Sequence, residues 1–365
     1  MLNLDYAPEQ SRLDGDLKQF ARDTLAPLAR EAEDAGAVPE DAKAAMRKFG
    51  LPGADGFAAG ADDPISFCMA AEGLAHGDAG IAYAWLASRQ VAWLIAACGT
   101  DDQKAKWLPR FAEDPALPAS LFFLEGRGQA PSELETSIKA VGNHLVVNGY
   151  KAPVMYPGTA AVSVIVGKNE KGELAAVLAE DLGNAVEFRG VDARRLALTA
   201  CPSALDARIN DLELPAAALM KSEGLHRAVT ECRLAHASVC VGAAVSATQY
   251  AGAYARERTA FGKPIIAFQG VSFPLVDLLL EGEAAHLSIL NLLTDDEATD
   301  ERRERAAGAI LAHANQLVID AGREGVQTMG VAGVTTEHPE ERAYRSAGVL
   351  ASVDFDPLNE QLILR

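Results

Sequence analysis

The chain has 365 residues, enough for roughly two or three packed units with large hydrophobic cores. Apolar residues make up 49% of it and charged residues 23%, which is the composition of a globular protein and excludes wholesale disorder. Its 51 acidic and 33 basic side chains give a formal net charge of −18, which opposes binding to nucleic acid or to an anionic membrane surface.

The N-terminal part, residues 1–115, predicts a helical domain. Its apolar residues recur at three- and four-residue spacing, and Gly and Pro separate the periodic stretches. This spacing predicts helices over residues 8–35, 41–49, 63–75, 81–98 and 101–111.

Residues 116–215 predict a central antiparallel β domain. Short β-branched or aromatic stretches lie between turn sequences such as Gly142-Asn143 and Asn148-Gly149. We expect strands over residues 120–124, 137–141, 144–147, 162–166 and 174–178.

Residues 216–365 predict a C-terminal helical bundle. Long helices are expected over residues 225–258, 269–293 and 300–330, and the many small residues of the first one predict close packing against its neighbours. The predicted fold class is therefore α+β, mainly α, with an N-terminal helical domain, a central antiparallel β domain and a C-terminal four-helix bundle.

The cysteines and the apolar runs bear on the location of the protein. Its five cysteines are an odd number without a C-x-x-C pair, which favours reduced, buried thiols. The N-terminal sequence has no basic segment followed by an apolar one, and no apolar run approaches the ~20 residues that span a bilayer. We expect a cytoplasmic protein without a membrane partner.

The common catalytic motifs do not occur in the sequence. It has no phosphate loop, no H-E-x-x-H, no G-x-S-x-G and no zinc-like Cys/His spacing. Residues 126–131 only half resemble a dinucleotide fingerprint and are predicted to form a loop. His236 and Cys240 lie one helical turn apart, a spacing more typical of a buried helix face than of a metal site, so no metal is expected.

Two stretches carry the chemistry of a ligand site. In residues 254–269, YARERTAFGKPIIAFQ, a helix with basic residues at its end is followed by a break at Gly and Pro. An arginine at such a helix end can bind a phosphate, or it can interact with the helix dipole without binding a ligand. Residues 327–347, QTMGVAGVTTEHPEERAYRSA, place two glycines three residues apart after a helix; these admit a ligand close to the backbone, or they end the helix in an ordinary loop.

Together these stretches resemble the acyl-CoA dehydrogenase family, whose patterns are Y-A-x-x-R-x-x-F-G-x-P-I-x-x-F-Q, then Q-x-x-G-G-x-G, E-x-P-x-E-R and Y-R-D-A. The resemblance implies FAD as cofactor, α,β-desaturation of an acyl-CoA thioester, and an electron-transfer flavoprotein as electron acceptor. It implies that Arg258, Phe261 and Gln269 of one protomer bind the FAD diphosphate and adenosine. It implies that the neighbouring protomer contributes a glycine-rich segment with Gln327, Gly330 and Gly333. It also implies that Arg233 lies at the acyl-CoA pocket.

The resemblance gives two candidates for the catalytic base. In many relatives a Glu follows the Tyr of Y-R-D-A by ten residues, and here that position is Asp354, one methylene shorter. In another branch the Glu directly precedes the pocket arginine; here Cys232 stands there, and Glu231 is one residue earlier, rotated by about 100° on a helix. Asp354 is the stronger candidate.

The flavin-ring positions depart from the family pattern. Where relatives carry K-x-W-I-T-N, this chain has Pro153 in place of Trp and Met155 in place of Thr. This suggests an α2β2 heterotetramer with a related subunit, known in the family for bulky or steroid side-chain acyl groups, and a homotetramer is the other assembly that the resemblance implies. The alternatives are a nitroalkane-oxidase-like flavin oxidase, which also uses an Asp base, and a non-catalytic subunit that completes a partner's FAD site.

Overall fold

The computed structural model describes residues 8–58, 60–125, 133–189, 198–201 and 204–353. Its N-terminal part is helical, as predicted: α1 Pro8–Phe20, α2 Ala29–Ala35, α3 Glu40–Phe49, α4 Pro64–Ala75, α5 Ala79–Cys98 and α6 Asp101–Glu113. The single helix predicted over residues 8–35 is wrong in one respect, because a π-helical turn over Ala21–Leu25 and a 3-10 turn over Ala26–Leu28 separate α1 from α2. Pro27 has no N–H for an α-helical hydrogen bond at this break.

Helix α5 is the centre of the N-terminal part. It is long and apolar enough to cross a membrane, yet 94% of its most apolar window is buried inside the protein. Asp78 caps its first turn by accepting hydrogen bonds from the backbone N–H groups of Gly80 and Ile81, at 3.0 and 2.9 Å. The helix is therefore a core element of this fold.

The central part forms a seven-stranded sheet, and the predicted antiparallel arrangement holds for most pairs but not all. Strand β1 pairs with β4 in parallel, from Ala119↔Val162 to Phe122↔Ile165. The chain passes through the β2–β3 hairpin between these two strands, which lets β1 and β4 run in the same direction. The strands are β1 Ala119–Phe122, β2 Ser137–Val141, β3 His144–Met155, β4 Val162–Lys168, β5 Leu174–Ala179, β6 Val186–Arg189 and β7 Ala204–Pro215, in the order β1-β4-β2-β3-β7-β6 with β5 on β4.

The C-terminal part is a helical bundle built on one long helix. Helix α7 packs against α4, α5, α8 and α9, and the elements are α7 Leu225–Glu257, β8 Thr259–Ala260, β9 Lys263–Pro264, α8 Gln269–Leu293, α9 Asp300–Met329 and α10 Glu340–Leu350. Close approach through small residues is confirmed at Gly242, where a Cβ would lie 2.1 Å from the carbonyl oxygen of Glu72 on α4. The five cysteines are all buried, and none of them forms a disulfide.

One carboxylate connects the three parts of the chain. Besides capping α5, Asp78 accepts a hydrogen bond from the hydroxyl of Thr199, which lies between β6 and β7, and from Nε of Arg342 on α10 at 2.9 Å. We call this group of contacts the Asp78 junction. It fixes α10 against the start of α5.

Candidate functional site

The end of α7 turns sharply into a hairpin. The N–H of Arg258 donates to the carbonyl of Tyr254 at 2.8 Å, and its own carbonyl accepts the N–H of Ile265 at 2.8 Å. Between the two short strands Phe261 and Gly262 both have positive φ, 53° and 81°, so the chain reverses in two residues. Non-glycine residues rarely adopt this conformation, which the paired strands impose on Phe261.

The side chains of this turn are presented to solvent. Phe261 is 95% exposed and touches the ring of Phe268 only edge-on, with 6.2 Å between ring centroids. Arg258 and Gln269 are also exposed, and within the described ranges the Arg258 side chain has no ion pair or hydrogen bond. We call these three residues the hairpin surface. They present a cation, a largely exposed aromatic ring and an amide to a ligand.

The glycine segment after α9 is only partly open. Gln327 and Gly330 are exposed, and Gly330 has φ +60° as the chain leaves the helix. Gly333 is buried, and a Cβ there would lie 2.9 Å from the Cα and carbonyl oxygen of Val326. Packing against the helix therefore already requires glycine at this position.

Two aromatic side chains of α7 bring the two motif stretches together within one protomer. The hydroxyl of Tyr250 lies 2.8 Å from Nδ1 of His338, which follows the glycine segment, and the ring of Tyr254 meets the same imidazole edge-on at 6.0 Å. The loop after α9 is thus held against the last turns of α7, next to the hairpin surface.

Arg233 lies at a cavity between α7 and the sheet. The cavity has a volume of about 320 Å³ and is lined by Phe123 and Lys168 from the strand ends and by His226, Thr230 and Arg233 from α7. Nη1 of Arg233 donates to the carbonyl of Glu304 at 3.1 Å, and burial lowers the pKa of its guanidinium to about 10. We call this the Arg233 cavity.

Glu231 faces a different neighbour. Its carboxylate accepts the indole N–H of Trp93 on α5 at 2.9 Å and Nε of Arg227 at 3.0 Å. Burial raises the pKa of this carboxyl, and the two hydrogen bonds oppose that rise. Glu231 is not among the described residues that line the Arg233 cavity, because two residues along a helix correspond to a rotation of about 200°.

A buried ion pair lies where β1 ends and β3 bends. Nζ of Lys151, fully buried, is 2.8 Å from the carboxylate of Glu125 and donates to the carbonyl of Phe123 at 2.8 Å. Burial lowers the pKa of Lys151 to about 8, while Lys151 and the N–H of Glu135 hold the pKa of Glu125 below its ordinary value despite its burial. The sequence analysis did not find this pair, and its one signal was a lysine within an otherwise uncharged strand.

Comparison with known families decides the identity. The sequence matches the acyl-CoA dehydrogenase N-terminal domain over residues 7–114 and the acyl-CoA dehydrogenase C-terminal domain over residues 224–353. The chain belongs to the acyl-CoA dehydrogenase family. This confirms the resemblance, the fold class and the expectation of an FAD-dependent oxidoreductase acting on CH–CH bonds.

Similar acyl-CoA dehydrogenases extend over nearly the whole chain. A probable acyl-CoA dehydrogenase of Bacillus subtilis (strain 168) is 26% identical over 372 residues, covering 96% of this chain and 95% of its own. The cyclohex-1-ene-1-carbonyl-CoA dehydrogenase of Syntrophus aciditrophicus (strain SB) is 28% identical over 362 residues, covering 94% and 86%. The solved structure of a glutaryl-CoA dehydrogenase from Mycobacterium smegmatis with FADH2 has a TM-score of 0.81 at 19% identity, covering 98% and 93%, which supports the fold.

The acyl-CoA dehydrogenase motif residues are thus divided among three places. The loop after the glycine segment contacts the last turns of α7 through His338, whereas Arg233 lies at its own cavity. Asp354, the stronger candidate base, and residues 126–131 lie outside the described residues. The roles assigned to all of these residues stay predictions.

Proposed function

We propose that this protein binds FAD and desaturates an acyl-CoA thioester between its α and β carbons, with an electron-transfer flavoprotein as electron acceptor. The observation that carries the proposal is the hairpin surface. The planar guanidinium of Arg258 fits a diphosphate bidentately, and the exposed ring of Phe261 can cover the adenosine. Bound FAD supplies the acceptor for the hydride from the β carbon.

The Arg233 cavity is the proposed place of the acyl-CoA. Arg233 and Thr230 give it two polar groups on α7, and Lys168 adds a cation at the sheet side. A buried guanidinium holds an anionic or carbonyl oxygen in a fixed orientation, which a reaction at the neighbouring carbon requires. We assign the removal of the α proton to Asp354, with Glu231 as the second candidate.

The assembly is proposed to be a tetramer. Helix α8 exposes a stripe of large apolar side chains at three- and four-residue spacing, Phe273, Val276 and Leu280. Val331 and Val334 of the glycine segment are exposed as well, beside the glycines expected to reach a neighbour's FAD. Such surfaces are typical of subunit contacts.

We further propose that a related subunit completes the flavin-ring pocket, as in an α2β2 assembly. Pro153 and the buried Met155 offer no side-chain hydrogen bond at the positions of the family's Trp and Thr, and the ion pair of Lys151 and Glu125 is satisfied internally. A bulky cyclic acyl group, including a steroid side chain, is the proposed substrate; the relative from Syntrophus aciditrophicus acts on a cyclic acyl-CoA.

Arg258→Ala tests the cofactor site. We expect at least tenfold weaker retention of FAD, because a hydrogen bond to a charged group contributes about 1.5–3 kcal/mol. The matched control is Arg256→Ala, an exposed arginine two residues earlier on the same helix. The measurement is FAD per protomer after gel filtration, for the chain alone and for the chain co-expressed with a related subunit. Equal retention by the two variants contradicts the proposed site.

Asp354→Asn tests the base. We expect a loss of turnover of at least a hundredfold with unchanged acyl-CoA binding, because a positioned general base contributes about 10²–10⁴-fold. Glu231→Gln keeps an acceptor for Trp93 and should retain most of the turnover. The readout is flavin bleaching by cyclohex-1-ene-1-carbonyl-CoA and by a steroid side-chain acyl-CoA. Unchanged bleaching of the assembled enzyme with both Asp354→Asn and Glu231→Gln favours the non-catalytic subunit instead, whereas a loss with Glu231→Gln alone makes Glu231 the base.

A further inference from the structure

Helix α10 ends on a hydrogen bond from another helix. The last four carbonyls of an α-helix have no N–H donor within the helix itself. At the end of α10 the N–H of Ser352 donates to the carbonyl of Val349 at 2.9 Å. The carbonyl of Leu350 lies 2.9 Å from Nε2 of His236, which is in the first half of α7 and 114 positions earlier in the chain. A side chain distant in sequence therefore caps the end of this helix.

The contact fixes the state and the orientation of the imidazole. A carbonyl oxygen only accepts hydrogen bonds, so Nε2 of His236 carries the proton and donates it. The imidazole is fully buried, and this burial lowers its pKa to about 4, although the bond to Leu350 opposes that shift. The ring is therefore neutral at pH 7. The buried ring of Tyr83 on α5 meets it edge-on, with 5.8 Å between ring centroids, and holds the donor in this orientation.

The two ends of α10 are held by different parts of the protein. In its first turn, Nε of Arg342 donates to Asp78 in the Asp78 junction, and at its last residue the carbonyl of Leu350 accepts from His236. Eight residues separate these two contacts, which corresponds to about 12 Å along a helix. Two buried polar contacts at this separation oppose both sliding of the helix along its axis and rotation about it.

The chain after α10 stays packed as far as Val353. Leu350 is fully buried, and Ala351 and Val353 are 6% and 3% exposed. The next residue is Asp354, the stronger candidate base, and the Cα atoms of consecutive residues are about 3.8 Å apart. Fixing the carbonyl of Leu350 therefore limits where the backbone of Asp354 can lie. An aspartate depends on this more than a glutamate would, because its carboxylate reaches one methylene less far.

We propose that His236 is a positioning residue for the base, because its hydrogen bond to the Leu350 carbonyl fixes the backbone from which Asp354 reaches the α proton of the acyl-CoA. This inference rests on the proposed function, in which Asp354 is the base. Proton transfer requires close approach, and a displacement of about 1 Å can slow a reaction about a hundredfold. His236 is not among the described residues that line the Arg233 cavity, so loss of the bond should slow proton removal without weakening acyl-CoA binding.

The test compares two replacements of His236 in the FAD-loaded, assembled enzyme. His236→Leu removes the donor from an apolar setting, whereas the amide nitrogen of His236→Gln can take the place of Nε2. The limiting rate of flavin bleaching, per bound FAD, should fall at least tenfold in His236→Leu and stay within about threefold of the parent in His236→Gln. The probes are cyclohex-1-ene-1-carbonyl-CoA and a steroid side-chain acyl-CoA, and their dissociation constants should be unchanged in both variants.

Thr248→Val is the matched control on the same helix. Thr248 is buried, and its hydroxyl donates to the carbonyl of Ala244 within α7 at 2.8 Å. The replacement removes a buried hydrogen bond that does not reach α10, so its limiting rate should equal that of the parent. A second readout does not depend on catalysis. Hydrogen exchange of the backbone N–H groups of residues 347–353 should be faster in His236→Leu than in the parent, and unchanged in His236→Gln and Thr248→Val.

Three results overturn the inference while the proposed function stands. In the first, His236→Leu is bleached at the rate of the parent although Asp354→Asn is not. In the second, His236→Gln is as slow as His236→Leu, and in the third Thr248→Val is slowed equally. Failure of the proposed function is distinguishable from these results. In that case the FAD-loaded parent is not bleached, or Asp354→Asn is bleached like the parent, and the inference falls because there is no base at this residue to position.

Discussion

Glu340→Gln should change the pH dependence of stability. Burial, with no charged partner in the described part of the chain, raises the pKa of this carboxyl from 4.5 to about 8. The folded protein therefore keeps a proton that the unfolded chain releases above pH 4.5, and the free energy of unfolding falls as pH rises from there towards 8. The slope is up to about 1.4 kcal/mol per pH unit, so the full difference is at most about 5 kcal/mol.

Because the glutamine amide cannot ionise, the free energy of unfolding of the variant should not fall with pH in this way. Near pH 8 the variant should therefore be more stable than the parent by a few kcal/mol. Thermal unfolding between pH 5 and 8.5 measures this difference in stability. Over that range the Tm of the parent should fall by several degrees more than the Tm of the variant. Glu337→Gln, whose side chain is exposed, should behave as the parent does. Parallel Tm curves for the parent and Glu340→Gln would refute the reasoning, because they would mean that water or a partner stabilises the charged carboxylate.

Two further variants test the packing. Gly242→Ala should destabilise the protein by about 2–4 kcal/mol in denaturant titration, because its Cβ would lie 2.1 Å from the Glu72 carbonyl, whereas Gly270→Ala, with nothing within 4 Å, should have little effect. A cost near zero at both positions would show that α4 and α7 can separate easily. Lys151→Met should destabilise by about 3–5 kcal/mol, since it leaves Glu125 charged and buried, and adding Glu125→Gln should recover most of that loss. If the double variant does not recover stability, Lys151 stabilises the fold mainly through its hydrogen bond to the Phe123 carbonyl and not through Glu125.

Prediction from the sequence was most accurate for helices and strands that have a clear apolar periodicity and turn residues at their ends. Strand β2 and helix α8 begin and end at the predicted residues, with Gly-Asn after the strand and Phe268-Gln269 opening the helix. Strand β7 was missed because its alternating polar residues lack the apolar run used to find strands. The parallel pairing of β1 with β4 was missed because the choice of a strand's partner depends on contacts distant in sequence.

The candidate site was predictable to the extent that it lies in continuous motifs. Arg258, Phe261 and Gln269 fall within twelve residues, and their shared position on one turn follows from local geometry. The pair of Lys151 and Glu125 joins residues far apart in the chain, so no local pattern could reveal it. The burial of the Glu340 carboxyl without a hydrogen-bond partner in the described part of the chain is visible only once the helices around it are in place.

The Asp78 junction has a consequence for how the molecule comes apart. The start of α5, the segment between β6 and β7, and Arg342 of α10 all make hydrogen bonds to one carboxylate. The detachment of any one of them therefore breaks a hydrogen bond at the group that also holds the other two. Heating should accordingly produce a single calorimetric peak for the whole chain, and neutralising this side chain as Asp78→Asn should split that peak into separate steps.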